Sequence, residues 1–357
     1  MSLVVPLRKQ VERMRWYQPP PEGRAGRLRL DFNENTAGPA PAVLRALARL
    51  KPERISFYPE YLAAESKLAH FFGVRPEQLT VANGIDDALR LIADGFAEAD
   101  KPLLLVEPTF TMYRFYADLL GARVITLRYD DRLCFPLDNV LRVLRRERPR
   151  LFFLANPNNP TGDLLAPRTI RRILEAGQRT MVVVDEAYYE FSGVTVAPWI
   201  RRYPNLIVTR TFSKAAGLAG LRLGCLISNA EVIAALRRLR APFSVNAAAL
   251  AAGLAVAASP GTMRRYVREV TAARGELERA LTRLGVPVYP SAANFLLADF
   301  GERGPSLLAR LQRRGILLRD RKSDFGRPGW VRITIGTRAQ TRLLIRELER
   351  LWTPARS

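Results

Sequence analysis

From residue 79 onward, short apolar runs alternate with longer stretches in which apolar positions recur every three or four residues. The runs lie at 79–82, 103–106, 124–127, 151–154, 181–184, 206–208 and 223–227. Leu151-Phe-Phe-Leu154 and Val182-Val-Val184 carry no polar alternation, the pattern of strands covered on both faces. Seven such runs spaced by helical segments predict an α/β fold: a large domain with a mainly parallel seven-stranded sheet sandwiched by helices. Sheets of this kind carry their chemistry on the loops after the strand C-terminal ends.

The flanking segments read differently. Residues 1–30 contain Pro19-Pro20-Pro21 and Gly23, which predict an extended arm after a short amphipathic start. Residues 42–50 read as a helix, and 56–60 as a loop because Pro59 disfavours helix in the residue before it. After Arg240 the pattern shifts. A small-residue helix at 247–258, packed between lobes, and a long charged amphipathic helix at 262–284 lead into a smaller α+β domain. Its strands are expected at 294–298, 316–319 and 331–335, and Thr337-Arg-Ala-Gln340 fits a capping box before the last helix. The expected division is an arm at 1–35 belonging to the small lobe, a large domain at 36–242 and a small domain at 243–357.

Composition narrows the chemistry. The chain has 357 residues, 48% of them hydrophobic, enough to bury a large core. Cys134 and Cys225 are isolated and His70 is the single histidine, so neither a zinc site nor a Ser-His-Asp mechanism has the residues it needs, and no metal is expected. The net charge of +22 raises nucleic acid as a partner. Its arginines are spread over helix faces, as at Arg142, Arg145, Arg146 and Arg148, without zinc-finger spacing or a basic tail. No specific nucleic-acid partner is therefore expected; the field would instead draw in small anions. The apolar stretch at 247–258 falls short of the roughly 20 residues of a membrane span, and the N-terminal apolar run is too short for a signal peptide. A soluble, cytoplasmic protein is the expectation.

The most informative stretch is Thr209-Arg-Thr-Phe-Ser-Lys-Ala-Ala-Gly-Leu-Ala-Gly-Leu-Arg-Leu-Gly224. The chain has six lysines against fifty arginines, yet keeps Lys214 among hydroxyls in a Gly-spaced, largely uncharged segment. An amine can lose its proton and form an imine, whereas guanidinium cannot. Lys214 thus reads either as a solvated surface residue or as the attachment point of a pyridoxal phosphate aldehyde. In the second reading Thr211, Ser213 and Arg222 hold the phosphate.

Other motifs sit on the expected loops, each with two readings. In Val81-Ala-Asn-Gly84 a strand runs into Gly84 and a helix, either a plain tight turn or a phosphate cradle of free N–H groups. Asn156-Pro-Asn-Asn-Pro-Thr-Gly162 is a rigid turn, or one that aims Asn159 at a cofactor ring oxygen. Asp185 ends a buried strand, either capping a helix or pairing with a protonated ring nitrogen, with Tyr188 three residues on.

Together, Asn-Pro-Asn-Asn-Pro-Thr-Gly, Asp-Glu-Ala-Tyr, Ser-Lys with Gly-Leu-Ala-Gly-Leu-Arg, and Val331-Arg-Ile-Thr-Ile-Gly-Thr-Arg338 resemble the fold-type I, class I/II pyridoxal phosphate aminotransferases over nearly the whole chain. The resemblance is closest to the histidinol-phosphate aminotransferases, with threonine-phosphate decarboxylases as near neighbours. It implies that Lys214 binds the cofactor and moves the proton, that Asp185 pairs with the ring nitrogen, and that Tyr188 and Asn159 bond the ring oxygen. Phe110 matches the stacking aromatic, often Tyr in the family, so a hydroxyl there is missing. Gly84, Ile85 and Asp86 match the phosphate cradle, joined by Thr211, Ser213 and Arg222. Tyr58 matches a residue that reaches the neighbouring subunit's phosphate, which implies a homodimer with shared active sites. Arg332 matches the residue that grips substrate carboxylate. Arg319 matches a second basic residue, though a surface role stays open, and Tyr17 an arm residue near the substrate phosphate; Asn33 joins them as a substrate-binding candidate. The implied reaction moves an amino group from histidinol phosphate to 2-oxoglutarate, giving imidazole acetol phosphate and glutamate. Three alternatives remain open: decarboxylation of a phosphorylated amino acid, an aromatic amino acid aminotransferase, and an Arg-rich nucleic-acid binder with vestigial motifs. Intact Lys214, Asp185, Asn159 and Arg222 argue against the last.

Overall fold

The computed structural model describes residues 5–14, 22–98 and 100–352. A short helix, Lys9–Arg13, opens the arm, which contributes the first strand, β1 (Leu28–Leu30). The seven apolar runs become β2 (Leu79–Ala82), β3 (Leu103–Glu107), β4 (Val124–Arg128), β5 (Leu151–Ala155), β6 (Met181–Asp185), β7 (Leu206–Thr211) and β8 (Gly224–Ile227). They form one sheet in the order β2-β8-β7-β6-β5-β3-β4, and β8 alone among them runs against its neighbours. Side chains leave the sheet alternately: Phe152, Val182 and Val184 enter one core, while Phe153, Val183 and Ile207 enter the other. Two buried faces explain why these strands read as unbroken apolar runs.

The second sheet contains β9 (Val288–Tyr289), β10 (Phe295–Asp299), β11 (Ile316–Asp320) and β12 (Trp330–Thr334) beside β1, in the order β1-β11-β12-β10-β9. The arm strand joins it in parallel register, Leu28 opposite Ile316 and Leu30 opposite Leu318. Three residues carry too short a pattern to announce β1 in the sequence. Thr337 and Gln340 form the expected reciprocal cap of the helix Arg338–Leu351.

The helix Ala247–Ala258 lies just past the expected boundary at residue 242. It packs on the helices Pro41–Ala48 and Leu62–Phe71 and buries Ala249, Ala252 and Val256 in the core of the seven-stranded sheet. Its small residues serve close approach: Gly253 lies so near Leu223 that a Cβ would overlap that side chain. The following helix, Gly261–Arg283, instead puts Val270, Ala273 and Leu277 into the core of the smaller sheet. No helix among the described residues is long and apolar enough to cross a membrane.

Candidate active site

A cleft of about 290 Å³ opens where the C-terminal ends of β6 and β7 face β11 and β12. Most of the motif residues meet there. Asp185 and Lys214 form part of its floor, with Ile85, Asp86, Thr211, Ser213 and Arg222 on the same side. Asn33, Phe110, Asn159, Tyr188, Arg319 and Arg332 complete the grouping.

The floor is a hydrogen-bonded assembly. Asp185 is almost fully buried and accepts from Tyr113 Oη at 2.7 Å, Thr209 Oγ1 at 2.8 Å and the Ala187 amide at 3.1 Å. Burial pushes its carboxyl above the usual range, and the tyrosine and threonine hydrogen bonds oppose that shift. The capping alternative falls away, because the next helix, Tyr189–Ser192, has Tyr188 at its cap position. Lys214 Nζ donates to the Phe32 carbonyl at 3.0 Å. Burial, and then the neighbouring Arg332 cation, push its ammonium down to about 8, placing a neutral amine within reach of ordinary pH.

Beside Lys214, the Gly84–Phe96 helix starts at the cleft. Gly84 has φ +78°, and a Cβ there would come within 2.6 Å of Arg222 Nη2, so a side chain would collide with the guanidinium. Arg222 also adopts a left-handed conformation, with φ 57°, and bonds Asp86 at 2.9 Å. Helix amides, the Thr211 and Ser213 hydroxyls and an arginine therefore converge on one small volume, the donor set of a phosphate site.

The opposite wall is basic. Arg332, buried on β12, donates to Asn159 Oδ1 at 2.7 Å and to the Asp31 carbonyl at 2.6 Å, and its Nε is buried without a partner. Burial, then Arg321 and Arg319, push its guanidinium down to about 9. Arg319 stands opposite Arg332 in the β11–β12 register and over the Phe32 ring at 5.0 Å. Asn33 Nδ2 donates to Tyr188 Oη at 2.9 Å, tying the arm to the floor. In all, six basic and three acidic side chains line the cleft, so its contents are expected to be anionic.

One expected residue lies apart from the cleft. Tyr58 is exposed and stacks on Phe243 with centroids 4.1 Å apart, and it does not line this chain's cleft. Tyr17 lies outside the described residues. Conversely, Arg24, Phe32, Tyr113 and Arg321 line the cleft and were not anticipated. Arg321 follows Arg319 by two positions, a period-2 signal visible in the sequence. Tyr113 gives no such signal, since it reads as one more apolar position of the Met112–Leu120 helix.

Residues 26–348 match the family model described as "Aminotransferase class I and II". The chain belongs to the class I and II aminotransferases. Within that family it is 34% identical, over 91% of its own length and 93% of the relative's, to a histidinol-phosphate aminotransferase of Caldanaerobacter subterraneus subsp. tengcongensis. It is also similar to the crystal structure of the Sinorhizobium meliloti histidinol-phosphate aminotransferase in complex with pyridoxal-5'-phosphate. That likeness has a TM-score of 0.86 and 26% identity over 97% of each chain. A third likeness is to the L-threonine-O-3-phosphate decarboxylase of Porphyromonas gingivalis, with TM-score 0.79, 26% identity, and coverage of 90% of this chain and 98% of that one.

Proposed function

We propose that the protein is a pyridoxal phosphate-dependent aminotransferase that moves the amino group of histidinol phosphate to 2-oxoglutarate. The observation that carries this reading is the cleft itself. A lysine with its pKa lowered to about 8 stands between a phosphate cradle and a buried carboxylate on one side, and two facing arginines on the other. Curated relatives named for that activity supply the substrate.

The residues fit the cofactor on the structure's own terms. Gly84 leaves room that a side chain would fill, and Asp185 is a buried acid whose charge lacks a cation among its hydrogen-bond partners. When bound, pyridoxal phosphate supplies an electron sink for the bond broken at the substrate α-carbon. Lys214 would hold it through its amine and would carry the proton to and from that carbon. Asp185, held by Tyr113 and Thr209, would keep the ring nitrogen protonated. Phe110 would cover a ring face, Asn159 and Tyr188 would hold the ring oxygen, and Gly84, Ile85, Asp86, Thr211, Ser213 and Arg222 would hold the phosphate. Arg332 and Arg319 would take the substrate phosphate in one half-reaction and the glutamate carboxylates in the other, with Asn33 beside them and Tyr17 a candidate for the same phosphate.

Decarboxylation of a phosphorylated amino acid is the second reading, favoured by the likeness to the threonine-phosphate enzyme. It would need the carboxylate bond, in place of the Cα–H bond, set perpendicular to the ring. We also place two copies together as a homodimer with shared sites. Ile55, Phe57, Tyr58, Leu62 and Phe243 are large apolar side chains exposed in the single chain, and Tyr58 would reach the neighbour's cofactor phosphate.

An absorbance scan of the cofactor-loaded protein tests the substrate. Histidinol phosphate is expected to bleach the imine band to the pyridoxamine form without releasing CO₂, and threonine phosphate to leave it. Bleaching by threonine phosphate with CO₂ release, and none by histidinol phosphate, would replace this reading with the decarboxylase.

A further inference from the structure

Along β7, side chains alternate between the two faces of the sheet. Thr209 and Thr211 serve the cleft, and Arg210 between them goes to the opposite side. There it lines a second cavity of about 490 Å³ that the proposed reaction does not use. Arg210 is 3% exposed and lies flat over the Tyr189 ring, its guanidinium carbon 3.4 Å from the centroid. One nitrogen, Nη2, serves both Glu186 Oε2 at 2.7 Å and Thr195 Oγ1 at 2.8 Å. Nε and Nη1 are buried without a partner. Native interiors seldom leave two guanidinium donors unmet.

The same cavity holds a second unmet group of opposite character. Glu190 lines it, and its Oε2 is buried without a partner. Glu186 cannot take that place, since its oxygens are engaged by Arg210, Thr195 and the Val196 amide. Phe71 and Phe72, from the end of the Leu62–Phe71 helix, and Met263 and Val267, from Gly261–Arg283, supply apolar wall. Exposed Arg264 and Arg268 stand at the rim.

A simple anion would satisfy Arg210 and the rim but would meet Glu190 with repulsion. A simple amine would meet Glu190 but leave the three arginines. A group carrying carboxylate and ammonium together, with an apolar extension, answers both sets and the wall between them. We propose that this cavity is a second ligand site, distinct from the cleft, for a free α-amino acid with an apolar or aromatic side chain. The carboxylate goes to Arg210 and the rim arginines, the ammonium to Glu190 Oε2, and the side chain against Phe71, Phe72 and Met263. Burial pushes the Glu190 carboxyl up to about 7, so an ammonium beside it also keeps that group ionised at neutral pH. Its walls come from the segment after β6 and from a helix in the smaller lobe's core, so an occupant touches elements of both lobes.

The test is calorimetric titration of the cofactor-loaded protein with L-leucine and with L-phenylalanine, with visible absorbance followed in the same samples to report the cleft. The expected result is a binding event per chain for at least one of them that is not matched by the absorbance change. Met263→Trp, which fills the cavity from the helix side, should abolish that event. Glu190→Gln should weaken it by about tenfold, as expected for loss of a charge-assisted hydrogen bond, and both variants should keep the absorbance titration unchanged. 4-Methylpentanoate, which lacks the ammonium, should bind the wild type more weakly than L-leucine but distinguish little between wild type and Glu190→Gln. Heat that follows the absorbance change throughout, no binding of either amino acid, or unchanged binding in Met263→Trp would each overturn the proposal.

Discussion

The two walls of the cleft handle charge in opposite ways. On the wall built from the seven-stranded sheet, Asp86 pairs with Arg222 at 2.9 Å, and the charge left without a counter-ion is an acid: Asp185 has three neutral donors and no cation. On the wall built from the smaller sheet and the arm, Arg24 and Arg321 have carboxylate partners in Asp31, Glu34 and Asp324. Arg332, however, is held by the neutral oxygens of Asn159 and Asp31, and Arg319 rests on the Phe32 ring. A buried acid without a cation suits a cofactor held through every turnover, whose protonated ring nitrogen would answer it. Unmatched arginine suits substrates that enter and leave as anions, because its cost is relieved only while one is bound.

The contrast predicts a graded series of losses. Lys214→Ala on the floor should lower turnover by about 10⁴-fold, the upper range for removing a proton-transferring group. It should also abolish the imine absorbance, while circular dichroism shows the fold intact; a retained imine band would refute the assignment of Lys214. Arg332→Ala on the opposite wall should lower kcat/KM by about 10²-fold for both half-reactions, equivalent to ~3 kcal/mol for a lost charged hydrogen-bond pair. Arg319→Ala should separate the substrates, weakening histidinol phosphate by about tenfold and glutamate less, in keeping with one lost contact to a dianion. An equal loss for both would remove its phosphate role.

A further effect joins the walls. With the Lys214 amine at about 8, its neutral fraction grows as pH rises through that value. The rate at which apoprotein takes up pyridoxal phosphate should therefore climb by roughly tenfold between pH 7 and pH 9, following the fraction deprotonated. Arg332 is the second cause of that lowered value, so Arg332→Ala should move the midpoint upward. A stopped-flow pH series on both proteins reads the shift. Smallest is Tyr113→Phe, which removes one of three donors to Asp185 and should cost about fivefold in turnover, ~1 kcal/mol, with the cofactor still bound.

The floor was legible in the sequence because each of its parts is a local strand–loop unit. Gly84, Asn159, Asp185 and Lys214 sit at or just after strand ends, and a run of Val followed by Asp, or a lysine among hydroxyls, departs visibly from its surroundings. The opposite wall was legible in part. Arg332 and Arg319 could be singled out by family resemblance, but in a chain with fifty arginines nothing local distinguishes Arg24 or Arg321 from solvated ones. Tyr113 was hidden because a buried tyrosine and a buried phenylalanine satisfy the same helical period; its hydroxyl gains meaning from Asp185, 72 residues away. The packing of the Ala247–Ala258 helix was not legible, since small residues announce close packing without saying on which partner.

What the sequence by itself determined is the seven-stranded sheet, the order of its chemical loops and the lysine at their centre, because hydrophobic period and loop chemistry are local properties. The tertiary structure decided which arginines face the cleft, which arm strand closes the smaller sheet, and that Arg210 looks away from the cleft into a cavity of its own. Each of these depends on contacts between residues distant in the chain, and the physical cost that gives them meaning, burying a charge, arises only once the surrounding elements have packed.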